Sequence, residues 1–73
     1  MAAISRILWI TLAQGEEFFF IPSDTTAGEP CMLHADADLE PDMAGWKCIS
    51  PGIFLRTLMA EDHGLRVSMR KRS

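Results

Sequence analysis

Seventy-three residues make one domain at most, residues 1–73, and a chain this short buries only about 60% of the surface its unfolded form exposes. An apolar share of 48% with two Trp and four Phe excludes a disordered chain, and the longest apolar run, residues 7–13, contains Thr11 and falls far short of the ~20 residues of a membrane span. The net charge of −3 conceals a partition: residues 16–42 hold eight carboxylates and no Lys or Arg, whereas all seven basic groups lie outside, beside only Glu61 and Asp62.

Taken in chain order, residues 4–13 open the structure. Ile4, Ile7, Leu8 and Leu12 fit a helical stripe, but that leaves Trp9 and Ile10 facing water. The β-branched and aromatic run around Trp9 favours a strand. Arg6 followed by apolar residues has the order of a signal peptide, yet the apolar part is too short for one, and a cytoplasmic chain is expected. Gln14 and Gly15 supply a turn, residues 17–21 a second strand, and Pro22 its end. This reads as an N-terminal hairpin. Phe18 and Phe20 then point one way, Phe19 and Ile21 the other, so one layer cannot cover both faces.

Residues 23–49 form the long acidic connection, with a loop at 23–30, a short strand at 31–33 and an extended stretch around Trp46. Ser50 and Pro51 suit a helix start, the pairs Phe54/Leu58 and Leu55/Met59 are spaced four apart, and Gly64 after His63 suits a helix end. Leu65, Val67 and Met69 alternate with Arg66, Ser68 and Arg70, the pattern of a half-buried strand with a basic outer face, and residues 70–73 form a basic tail. The expected fold is therefore α+β: a small three-stranded, mainly antiparallel sheet (N-terminal hairpin plus C-terminal strand) covered by one helix, with the long acidic connection between.

Asp36, Asp38, Glu40 and Asp42 recur at every second residue. In a strand they would line one face about 6 to 7 Å apart, a spacing near the phosphate repeat of nucleic acid, so an acidic segment of this kind suits a groove built for a polyanion. With Trp46 and Phe19 as apolar anchors, these four carboxylates are the candidate partner-binding residues. A calcium loop starting at Asp36 fails, because its sixth position is Pro41 and its twelfth is Lys47. Cys31, His34, Cys48 and His63 have zinc-ligand chemistry but not a local zinc spacing, and Cys31 lacks the flanking glycines of an oxyanion hole. No catalytic residue, metal or cofactor is assigned.

The function expected is that of a small non-enzymatic interaction protein, a stoichiometric inhibitor or regulator binding a larger basic protein, in its sharpest form one that handles nucleic acid. The size and charge habit is similar to that of small acidic phage-encoded inhibitors of host defence, a likeness of composition and not of motif. One alternative is a nucleic-acid-binding module using Arg66, Arg70, Lys71 and Arg72, although those bases can equally fold back on the acidic block. Another is a zinc-stapled domain. The surplus of large apolar side chains also calls for a cover, and pairing of two copies as a homodimer is one way to supply it.

Overall fold

The computed structural model describes residues 6–72. Its strands are β1 (Leu8–Thr11), β2 (Phe18–Phe20), β3 (Pro30–His34), β4 (Leu39–Pro41), β5 (Lys47–Ser50), β6 (Ile53–Thr57) and β7 (Arg66–Lys71). A single 3₁₀ turn, Ala60–Asp62, is the only helical element among the described residues. The expectation of an α+β fold with one helix on a three-stranded sheet is therefore overturned: the molecule is built of two sheets, of four and three strands.

The four-stranded sheet runs β1-β3-β6-β5 and the three-stranded sheet β2-β7-β4. The expected N-terminal hairpin does not form either. β1 pairs in parallel with β3, while β2 pairs antiparallel with β7, so the turn at Gln14 and Gly15 carries the chain from one sheet to the other. Residues 4–5, the start of the first expected segment, and Ser73 of the tail lie outside the described residues.

The segment expected to be a helix, from Ser50 to His63, is instead the turn of the β5–β6 hairpin, strand β6 and the 3₁₀ turn. Pro51 and Gly52 occupy a two-residue turn between paired Ser50 and Ile53. Pro presets the first turn position and Gly accepts the second, at φ 81°. Nor is a side chain tolerated there: a Cβ on Gly52 would stand 2.5 Å from the Ala35 carbonyl oxygen. From Ile53 onward, Phe54 faces the core and its neighbours do not, a period of two that the β-branched and aromatic residues of β6 favour.

The two sheets enclose one apolar cluster. Ile21, Cys31, Leu33 and Leu58 have no solvent exposure, and Leu12, Phe19, Ala35, Phe54 and Val67 complete it. The second layer that Phe19 and Ile21 required is thus the four-stranded sheet and not a helix. Trp46 packs on Phe19 edge to face at 5.8 Å, closing the cluster beside Met43.

Arg56 ties this core to its connections. Its Nε and Nη2 donate to the two carboxylate oxygens of Asp62 at 3.0 Å each, and its Nη1 donates to the Ala44 carbonyl at 3.0 Å. Asp62 Oδ2 also accepts the Met59 amide at 2.7 Å. The guanidinium passes so close to Gly45, at φ 97°, that a Cβ there would overlap Nη1.

Candidate functional site

The acidic series divides on folding. Only Leu39–Pro41 is strand, so Asp36, Asp38, Glu40 and Asp42 do not form one continuous row. β4 lies at the edge of its sheet, where Pro41 leaves no central ladder bond unmade. The register places Glu40 opposite Arg70, and Arg70 reaches both Glu40, at 2.7 Å, and Asp42, at 3.3 Å. Lys71 stands 3.8 Å from Asp38, whose carbonyl accepts the Arg72 amide at 2.7 Å. The basic C-terminal strand thus turns back on the acidic segment of its own chain. Glu29 is likewise answered by Arg6, 2.6 Å away, and its Oε1 accepts the Thr26 amide. That backbone donor, with Arg6 beside it, holds the Glu29 carboxyl below the ordinary carboxylate range against the opposing effect of burial.

What remains is a groove of about 560 Å³ between the β1–β2 turn and the β4–β7 pair. Glu16, Glu17, Asp36 and Asp38 border it, against Arg70 and Lys71, and Leu39 and Met69 contribute apolar surface. The carboxylates outnumber the cations there by two, and both cations already face carboxylates of this chain. Glu16 has a structural task as well, since its Oε1 accepts the Ala13 amide at 2.6 Å and closes the turn. Glu17 and Asp36 make no ion pair among the described residues. Glu16 and Glu17 were outside the expected site. Their part in the eight-carboxylate block was visible, but the topology that brings them beside Asp36 was not.

The two apolar anchors expected to meet a partner are elsewhere. Phe19 is 6% exposed and belongs to the core, which corrects its assignment as a contact residue. Trp46 is partly buried against it, and its indole N–H is buried with no partner among the described residues. The exposed large apolar side chains are instead Ile7, Trp9, Phe20, Ile49, Met59 and Leu65. Phe20 stands beside Phe18, whose ring carries the Arg66 guanidinium at 4.3 Å.

Cys31 and His34 sit three apart on β3, so the pleat sends the buried thiol inward and the imidazole outward. Among the described residues no group of three or more His, Cys, Asp or Glu side chains comes together to hold a metal ion. Burial in the core, with Glu29 nearby, pushes the Cys31 thiol up to about 11. Cys48, on edge strand β5, is exposed. No helix among the described residues is long and apolar enough to cross a membrane.

No family model matches the chain, and no curated protein or solved structure matches it.

Proposed function

We propose that this chain is a non-enzymatic interaction protein that binds the basic surface of a larger protein, acting as its stoichiometric inhibitor or regulator. The observation that carries this reading is the groove bordered by Glu16, Glu17, Asp36 and Asp38. It supports an electrostatic contact in three ways. Carboxylates are in excess there, concave walls focus their field, and Leu39 and Met69 give an entering Lys or Arg stem apolar surface to lie on. Arg70 and Lys71 face carboxylates of this chain, whose negative charge opposes a polyanion approaching that side, whereas Arg66 and Arg72 make no ion pair among the described residues.

The test is affinity capture from lysate with the tagged chain and a variant carrying Glu17→Gln, Asp36→Asn and Asp38→Asn, with Glu16 kept because it closes a turn. A basic protein held by the native chain and released by the variant supports the proposal. Its affinity should fall at least tenfold between about 50 and about 500 mM NaCl. Equal capture by both forms, or affinity indifferent to salt, refutes the electrostatic contact.

A further inference from the structure

We infer that the outer face of the four-stranded sheet is a self-complementary surface on which two copies of this chain stack across a two-fold axis. This does not depend on the acidic groove, which lies elsewhere on the molecule.

The register sets out the face row by row. Cys31, Leu33 and Phe54 point into the core, so the intervening residues point outward. One outward row crosses the whole sheet in the order Trp9, Met32, Leu55, Lys47. The next begins Thr11, His34, Ile53. Trp9 is 57% exposed and Ile49, beside the bulge of β5, is 51% exposed. The chain has ten carboxylates, and none belongs to these strands' outward rows. The charged side chain of the Trp9 row, Lys47, makes no ion pair among the described residues. A surface freed of carboxylates on an acidic protein is one that can be desolvated without burying unpaired negative charge.

The order within the row identifies the occupant. β1 and β5 are the two edges of the sheet, and β3 and β6 lie symmetrically between them. A two-fold axis along the strand direction, midway between β3 and β6, reverses the row on the second copy. Trp9 then faces Lys47 of the other copy, and Met32 faces Leu55, at the roughly 10 Å separation of stacked sheets. The outer contacts are two cation–π pairs and the centre is apolar, so each residue meets chemistry it favours. The same operation serves every row because it is a property of the strand order.

The size of the face sets the strength. Four strands at ~4.8 Å and about three rows at ~6.7 Å cover roughly 400 Å² per copy, or about 800 Å² in all. That is at the low end for specific association, so the dimer should be weak, with dissociation in the micromolar range or above.

The experiment is sedimentation equilibrium of the full chain from about 5 µM to about 1 mM, a range that brackets such a dimer. The expected weight-average mass rises with concentration from 8.2 kDa toward twice that value. Trp9→Lys should abolish the rise, because it replaces each cation–π pair by two ammonium groups facing one another. Adding Lys47→Glu to Trp9→Lys should restore it through pairs of opposite charge. Leu55→Asp should abolish it from the centre. Since Trp9 and Lys47 are exposed, far-UV circular dichroism should be unchanged in the first two variants. A chain monomeric throughout overturns the inference, as does a dimer indifferent to Trp9→Lys and Leu55→Asp, which would join edge to edge instead. Failure of the double variant to regain the mass overturns the stated pairing. Neither failure touches the acidic groove, whose variants are read by capture and salt.

Discussion

Arg56 shows how one side chain can organise a small domain. It is the only base whose partner is almost wholly buried while it is itself largely buried among the ion pairs of the described residues: Asp62 is 1% exposed and Arg56 13%. The paired, hydrogen-bonded geometry offsets the desolvation of both groups, and removing one partner leaves the other buried and unanswered. Asp62→Ala is expected to lose about 3 to 5 kcal/mol in urea unfolding, whereas Lys71→Ala, at an exposed pair, should lose no more than ~0.5 kcal/mol. Equal losses at the two sites would remove the special position of Arg56. The pair also sets a pH dependence. Hydrogen bonding from Arg56 outweighs the opposing effect of burial and holds Asp62 below the ordinary carboxylate range. Stability from Asp62 is thus present at neutral pH and lost as pH falls through that depressed value. Asp62→Asn should be less stable at neutral pH and flatter along the acid limb; an acid limb as steep as the native one would contradict this. At the thiols, the rise of Cys31 to about 11 and its complete burial leave Cys48 as the group that reacts with a thiol reagent at neutral pH. One thiol per chain should titrate in the folded protein and two in denaturant, and rapid reaction of both when folded would place Cys31 wrongly.

At the scale of elements, the strands were more legible than their partners. The stretches around Trp9, Phe19, Met32 and Val67 have the side chains of strands and are strands. Their membership of two sheets was hidden, because β1 pairs with β3 across eighteen intervening residues and no local signal encodes that choice. The segment after Ser50 was ambiguous for a different reason. Phe54 and Leu58 are four apart and so satisfy a helical face, but four is also an even number and satisfies one face of an extended chain. Pro51 and Gly52 decide between the two. As a helix start, Pro51 is followed by a residue that weakens a helix; as a turn, both residues are in their favoured positions. Gly52→Ala is expected to destabilise the fold by more than about 1 kcal/mol, since φ 81° and the Ala35 carbonyl both oppose a Cβ, and a helix would instead be stabilised by the same change. Urea midpoints of the two proteins decide the sign.

For the whole molecule, the charge partition visible in the sequence becomes an internal division of labour. Glu29, Asp38, Glu40 and Asp42 are set against Arg6, Lys71 and Arg70, so part of the acidic block is paired within the chain, across the three-stranded sheet and with Arg6. Fold-back of the basic strand onto that block was one of several readings the opposed charges allowed, and the pairing of Glu40 with Arg70 was not readable. Glu16, Glu17 and Asp36, which make no ion pair among the described residues, border the groove by the β1–β2 turn, while the outward rows of the larger sheet's strands carry no carboxylate. One molecule therefore presents two surfaces of opposite character. Of the residues proposed to meet a partner, Asp36, Asp38, Glu40 and Asp42 keep solvent exposure as their polarity demands, but Phe19, the middle of three consecutive Phe, was free in sequence to face either way and faces inward.

The most direct measurement of the proposed function is a titration of the ¹⁵N-labelled chain with a short oligolysine peptide, followed residue by residue in amide spectra at low salt. Saturable shifts are expected to concentrate at Glu17, Asp36 and Asp38, with Asp24 and Glu61, which lie off the groove, moving little. Shifts spread evenly over all exposed carboxylates, or larger at Asp24 and Glu61 than at the groove, would contradict a binding site there.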